Sequence, residues 1–307
     1  MLPPDSSFDG TLDTTFDSTA QLLTRITAQL GTQLSHVQLN GVRRPMSSPA
    51  SPAAPSHLHA PSLLAVAHGS RDPRAVRTVR RLLDRARELR PGLDIRLGHI
   101  ELDAPLLPDT LAGLVAEGRR DAVLVPLLLG RGYHVKRDIP DAVAGFPGLR
   151  ARFAPPLGPH PLLVEALYAR LTEAGWRAED HGSRSAGVVL AAAGSRDPDS
   201  AADARRTAAL LSERIGGVPV VPAYASAVSP SVPDAVRALA ARGRHRVAVA
   251  SYFTAPGRFA SAAAAAAPWI AAEPVGAHAA LARLVLQRYD AALDASPLPG
   301  RRELVTA

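Results

Sequence analysis

The chain has 307 residues, only 4% of them aromatic, no cysteine, and a formal net charge of +7. That length accommodates two domains of ordinary size, each burying its own core, with packing left mainly to Val, Leu and Ala. Missing thiols exclude disulfides, thiolate metal sites and cysteine-ligated iron–sulfur clusters. The basic excess is scattered Arg without aromatic interleaving, which argues against nucleic acid and leaves room for a polyanionic small molecule in a basic cleft.

Residues 1–60 read as a disordered leader. Thr, Ser, Gln and Asp dominate at first, and Ser, Ala and Pro follow Met46 up to Pro61. Such text buries too little apolar surface to offset its ordering entropy, although a short amphipathic helix near Ala20–Leu34 is compatible with it. Asp5, Asp9, Asp13 and Asp17 stand where a secretion signal needs basic residues and an apolar run. No stretch approaches the ~20 apolar residues of a membrane span. These features predict a cytoplasmic protein with no membrane partner.

From Ser62 the pattern changes to alternating strands and helices, and a first lobe is expected over 61–175. Leu63–Ala67 suits a strand buried on both faces. Asp72-Pro73 opens a helix to about Arg90, with Asp as N-cap and Pro in the first turn. Strands follow at Asp94–Ile100, Asp121–Leu129 and Arg150–Ala154. Helices are expected at Pro108–Gly118, Val135–Ala144 and Pro161–Ala174. Residues 176–186 read as a linker, 187–292 as a second lobe with the same order, and 293–307 as a tail. Repeated strand–helix units of this length imply α/β architecture: two tandem homologous parallel-sheet lobes, helices on both faces, related by a pseudo-twofold axis.

The second lobe repeats the first almost without gaps. Gly69-Ser70-Arg71-Asp72-Pro73 returns as Gly194-Ser195-Arg196-Asp197-Pro198, 125 positions later. Pro105, Pro108, Asp109, Gly118 and Gly132 return at the same offset, and Pro156, Gly158 and His160 meet Pro274, Gly276 and His278. Against this background three side chains are lost: His68 maps to Ala193, Glu101 to Ser226 and His134 to Phe259. Duplication followed by loss of one site explains this better than chance.

His68 follows the first strand, Glu101 ends the second, and His134 sits in the loop after the third, so all three belong to the carboxyl edge of one parallel sheet, where ligands collect. Two imidazoles and a carboxylate suit a divalent first-row transition metal and also accept protons near neutral pH. A single histidine after a strand is more often a satisfied loop residue; the one-sided loss of all three argues otherwise. His160, kept as His278, belongs to the scaffold, and His99, opposite Tyr224, reads as structural. His57 and His59 fall in the leader. Ser70 and Arg71 could form an anion-binding turn at a helix start, but the turn persists in both copies, so a required strand-to-helix turn is at least as good a reading. Arg131, Lys136 and Arg137 bring positive charge close to His134. No Gly-x-Ser-x-Gly elbow, Walker loop or dinucleotide fingerprint is present.

At Ala67-His68-Gly69-Ser70-Arg71, at Ile100-Glu101 and along Pro126–Pro140, with its Gly-Arg-Gly-Tyr-His-Val-Lys-Arg-Asp-Ile-Pro text, the chain resembles the CbiX-type sirohydrochlorin chelatases, class II tetrapyrrole chelatases. The likeness covers about 62–290 and is only scaffold-level in the second copy. It implies a lyase-type enzyme that inserts Fe²⁺ or Co²⁺, a substrate metal rather than a tightly bound cofactor, into sirohydrochlorin, a macrocycle carrying eight carboxylates. By this resemblance His68, Glu101 and His134 are both metal-binding and catalytic, the histidines helping to remove the pyrrole protons. Ser70, Arg71, Arg131, Lys136 and Arg137 would hold substrate carboxylates. Some members carry a histidine-rich tract or a cysteine-bound cluster, and neither exists here, which tilts the reading towards iron and sirohaem. Cobalt insertion for cobalamin is the alternative, and a non-catalytic tetrapyrrole or metal carrier is the alternative of another class. A monomer is expected, the second lobe replacing a dimer partner.

Overall fold

The computed structural model describes residues 60–226 and 228–295. The leader, with its expected helix and the His57/His59 pair, lies outside them, as does the chain beyond 295.

The first lobe runs β1 (Ser62–Ala67), α1 (Pro73–Leu89), β2 (Ile95–His99), α2 (Leu107–Ala116), β3 (Asp121–Pro126), a π-helical turn (His134–Asp138) leading into α3 (Ile139–Ala144), β4 (Arg150–Phe153) and α4 (Pro161–Glu173). The second runs β5 (Ala186–Ala192), α5 (Pro198–Arg214), β6 (Val220–Tyr224), α6 (Val232–Ala240), β7 (Arg246–Ser251), α7 (Arg258–Ala265), β8 (Ile270–Ala271) and α8 (Ala279–Asp294). Each lobe has one four-stranded sheet, ordered β2-β1-β3-β4 and β6-β5-β7-β8, and every pairing is parallel. The two sheets repeat one topology.

Every residue of β1 is buried, because successive side chains point to opposite faces and both faces are covered. Leu64 and Val66 pack outward with Leu107, Leu111 and Leu114 of α2 and Ile139 of α3. Leu63 and Ala65 face inward onto Val79, Leu82 and Leu83 of α1. The second sheet divides likewise, with Val189 and Ala191 facing α6 and Val188 and Leu190 facing inward. Five helices start on side-chain caps, among them α6, where Ser231 accepts from the Asp234 N–H. Asp72 and Asp197 accept from the N–H groups of Arg74 and Asp199. His160 and His278 accept from Leu162 and Ala280 through Nδ1, the scaffold role read from their persistence in both copies. His99 is buried, with Nδ1 3.2 Å from the Pro105 carbonyl oxygen.

Two features depart from the sequence reading. First, the lobes do not bury separate inner cores. The inward faces of both sheets and helices α1, α4, α5 and α8 form a single apolar cluster. Within it the last helix of each lobe has crossed over: α8 packs on α1, β3 and β4, while α4 packs on α5 and β7. Polar contacts fasten the exchange. Tyr289 Oη donates to the Pro61 carbonyl oxygen at 2.6 Å, the Arg90 guanidinium pairs with Asp290, and Arg170 donates to the Val275 carbonyl oxygen at 3.1 Å. The segment read as a linker shares in this packing: Trp176 is fully buried with its ring 5.7 Å from that of Trp269, and Asp180 meets Arg246 at 2.9 Å.

Second, the third strand ends at Pro126 rather than Leu129. The Leu127 N–H still reaches the Val66 carbonyl oxygen. Thereafter the carbonyl oxygens of Leu127 and Leu129 accept from Thr254 Oγ1 at 2.9 Å and Tyr252 Oη at 2.6 Å, both in the second lobe. The ladder stops because the backbone has changed partners. Among the described residues no helix is long and apolar enough to cross a membrane.

Candidate functional site

The carboxyl edge of the first sheet is held by backbone contacts that fix where its side chains can stand. Gly69 follows β1 at φ +101°, and a Cβ there would lie 1.8 Å from the Glu101 carbonyl oxygen; only glycine fits. The Glu101 N–H donates to the His68 carbonyl oxygen at 3.0 Å, tying the first loop to the second. The second lobe reproduces the frame: Gly194 lies at φ +93° against Ser226, whose N–H donates to the Ala193 carbonyl oxygen. Identical loops therefore carry different chemistry.

On the first edge the three expected side chains meet. His68 Nδ1 lies 3.7 Å from Glu101 Oε1. The His68 and His134 rings stand edge to face with centroids 4.7 Å apart. All three are open to solvent, with side-chain exposures of 41%, 53% and 37% for His68, Glu101 and His134. His68 is the hub and touches both others. Among the described residues, however, no three His, Cys, Asp or Glu side chains stand as a ready-made ligand set. This open, solvent-facing arrangement differs from the closed four-ligand geometry of structural metal sites. On the second edge Ser226 Oγ donates to the Ala193 carbonyl oxygen at 2.9 Å, and the Arg258 guanidinium lies over the Phe259 ring.

The two edges face one another crosswise. A Cβ on Gly257 would lie 3.7 Å from Ser70 Oγ, and one on Gly132 would lie 3.6 Å from Ser195 Oγ. The first-strand loop of each lobe thus meets the third-strand loop of the other, and His68 and His134 belong to these facing loops. Within that frame the five candidate anion holders divide. Ser70 Oγ accepts from the Asp72 N–H at 3.1 Å, as Ser195 does from Asp197, so both serines brace a turn. Arg71 and Arg137 are exposed and make no ion pair among the described residues. Arg131 and Lys136 are engaged across the lobes. The buried Asp203 accepts from the Arg131 N–H at 2.8 Å and from its guanidinium at 2.7 Å. Lys136 Nζ reaches Asp197 at 2.7 Å and Asp199 at 2.8 Å. Hydrogen bonds donated to Asp197 and Asp199 hold the Lys136 ammonium above its ordinary pKa, and Lys136 holds the Asp197 carboxyl below its own.

This clamp has no mirror image. Asp203 aligns with Thr78 and Arg131 with Pro256, and both of these line an open cavity of about 780 Å³ on the opposite side. The His134 loop is the one fastened to its neighbour.

Sequence reasoning missed several neighbours of the trio. Asp138 Oδ2 lies 2.5 Å from His134 Nδ1, and Asp138 aligns with Ala263, so the offset that exposed the trio also carried this signal. Leu102, beside Glu101, has φ +68° and is half exposed; among the described residues it is the only non-glycine in the left-handed region, and nothing in its residue type announces that. Tyr133, also exposed, adjoins His134.

The CbiX family model matches residues 62–174 and again 187–292. The chain belongs to the CbiX family. Similar curated relatives include a sirohydrochlorin ferrochelatase of Bacillus subtilis, 29% identical over 174 residues, and a sirohydrochlorin cobaltochelatase of Priestia megaterium, 27% identical over 201 residues. These matches take in 55% and 62% of this chain but 65% and 63% of the two relatives, just under two thirds of their length. Among solved structures, SirB from Bacillus subtilis with Fe³⁺ aligns at TM-score 0.61 and 24% identity, over 75% of this chain and 94% of that one. The sirohydrochlorin chelatase SirB from Bacillus subtilis subspecies spizizenii in complex with cobalt aligns at TM-score 0.61 and 24% identity, over 76% and 96%. At that identity the likeness speaks for the fold: two homologous α/β lobes of the CbiX type.

Proposed function

We propose that this chain is a sirohydrochlorin chelatase, inserting Fe²⁺ into sirohydrochlorin to give sirohaem. The observation that carries the reading is the meeting of His68, Glu101 and His134 on the one loop edge, in a CbiX scaffold, whose counterpart has lost all three. Insertion joins a divalent cation to two pyrrole nitrogens and releases their two protons, so charge balances without a redox group. The site must hold a cation weakly, present it to the macrocycle face and accept protons. Open imidazole and carboxylate groups do both. His68 and His134 bind the cation and, as it transfers, become the bases that take the protons; Glu101, 3.7 Å from His68, completes the metal shell or steadies the resulting imidazolium.

The macrocycle lies between the facing loops, with Tyr133 and Leu102 offering apolar surface from one side and Phe259 from the other. Its carboxylates meet Arg71 and Arg137 directly. They reach Arg131 and Lys136 only in competition with Asp203, Asp197 and Asp199, and Ser70 serves the turn. The second lobe stands where a one-lobed member needs a second copy. Cobalt is the second reading, favoured by the cobaltochelatase relative and by a donor set that accepts both ions.

The test is anaerobic insertion of Fe²⁺ and of Co²⁺, followed by loss of free-macrocycle absorbance. Repeated turnover is expected, with His68→Ala and His134→Ala each losing most of it while the fold survives. Retention of more than about half the wild-type rate in either variant refutes the assignment. A single stoichiometric burst marks a carrier.

A further inference from the structure

His134 is bound at one nitrogen by a group that the reaction does not need as a ligand. Its Nδ1 lies 2.5 Å from Asp138 Oδ2, four residues on. An ionised carboxylate only accepts hydrogen bonds, so a neutral His134 ring in this geometry carries its proton on Nδ1 and its lone pair on Nε2. Two further observations set this pair apart from an incidental helix contact. The segment His134–Asp138 is wound as a π turn, with the Ile139 N–H reaching back to the His134 carbonyl oxygen; such wide turns are rare and gather at functional sites. In the second copy the corresponding chain, Arg258–Ala265, is an ordinary α-helix. There Asp138 has become Ala263, alongside His134 become Phe259. The partner vanished with the histidine.

We propose that Asp138 is a positioning residue for His134: its carboxylate fixes the Nδ1–H tautomer and the ring orientation, so that Nε2 is the atom offered to an incoming divalent cation. An imidazole left to itself favours the proton on Nε2, which blocks the nitrogen this site uses. A carboxylate behind a ligating histidine also raises its donor strength, and removing one typically lowers metal affinity 10–100-fold. The inference rests on the chelatase reading for its purpose, but not for its test.

The experiment uses the full chain without macrocycle. Nitrogen-15 NMR of the imidazoles should report His134 as Nδ1–H in the wild type, and titration with Co²⁺ alone should give a baseline affinity. Asp138→Ala should shift His134 towards Nε2–H and weaken Co²⁺ binding roughly 10–100-fold. Asp138→Glu, which keeps the carboxylate, should recover a measurable part of both. A His134 that is Nε2–H in the wild type overturns the proposal. So does an Asp138→Ala variant with native circular dichroism and Co²⁺ affinity within about threefold of wild type. If Asp138→Ala unfolds, Asp138→Asn, which keeps an acceptor but not the charge, replaces it and should weaken Co²⁺ binding less than tenfold but detectably; no change overturns the proposal. A tautomer lock and Co²⁺ binding that behave as stated, in a chain that never metallates sirohydrochlorin, would remove the chelatase reading and leave this one standing.

Discussion

Tyr252→Phe tests whether the second lobe holds the loop that carries His134. Tyr252 is buried; its hydroxyl donates to the Leu129 carbonyl oxygen at 2.6 Å across the lobe boundary and lies 3.1 Å from Thr207 Oγ1. Burial pushes the Tyr252 pKa up, so the hydroxyl remains a donor at any working pH. Phenylalanine keeps the ring and deletes only the bond. Thr207 retains its own acceptor, the Asp203 carbonyl oxygen at 3.0 Å, so the loss falls on the Leu129 carbonyl, which has no other donor among the described residues. An unsatisfied buried acceptor costs about 1–3 kcal/mol. For a folded unit of this size, about 2 kcal/mol lowers Tm by about 4–8 °C. Urea denaturation should show the midpoint moving with an unchanged slope, since the surface exposed on unfolding is the same. Gly158→Ala should hurt more, because its Cβ would stand 2.3 Å from that same oxygen and 2.5 Å from the Tyr252 hydroxyl. A Tyr252→Phe protein within about 0.5 kcal/mol of wild type would refute the view that this bond anchors the loop.

Burial lowers the pKa of His160 and His278, each with an ordinary value of 6.5. Their caps therefore contribute stability that is present above that value and lost as pH falls through the lowered folded values; replacing both by Asn, a cap that does not titrate there, should flatten this part of the pH–stability curve, checked by Tm from pH 7.5 to 5. Gly69→Ala should abolish the native loop, since no rotation moves a backbone carbonyl 1.8 Å away; a crystal structure with β1 and β2 unmoved would contradict it. Leu102→Gly should relieve left-handed strain, raising stability by about 1 kcal/mol, and, on the proposed chelatase reading, should raise KM for sirohydrochlorin. On the proposed chelatase reading, Lys136→Ala should leave Asp197 and Asp199, with only Arg131 still near Asp199 at 3.6 Å, less screened from incoming carboxylates, so KM should rise more at low than at high salt.

The fold was legible because its signals are local. Buried strands such as β1 read as unbroken apolar runs, Asp72 and Asp197 as caps, and the repeat fixed the order of elements twice over. The three side chains that meet at the first edge were legible as an asymmetry between copies, which needed no contact information. What was hidden depends on contacts distant in sequence. The early end of β3 follows from Tyr252 and Thr254, over a hundred positions away. The neutralisation of Arg131 and Lys136 comes from the α5 cap Asp197 and from Asp199 and Asp203 within α5, none of which announces a partner in the other lobe. The crossed helices escaped notice because an apolar stripe specifies that it is covered, not by which sheet. Asp138 was within reach, since it differs between copies, but a carboxylate four residues along a helix ordinarily reads as a solvated face.

The crossing of α4 and α8 dictates an order of assembly during synthesis. His68, Glu101 and His134 leave the ribosome early, and α1 can cover the β1 part of their sheet's inner face at once, but the β3–β4 part waits until Ala279–Asp294 arrives to close over it. A nascent chain thus carries Val123 and Val125 of β3 without their final cover through most of its translation, the interval in which chaperones matter most. Released early, at the end of α4, it would offer that face to another copy's α4, and the half-molecule would find as a pair what the full chain finds by folding back on itself.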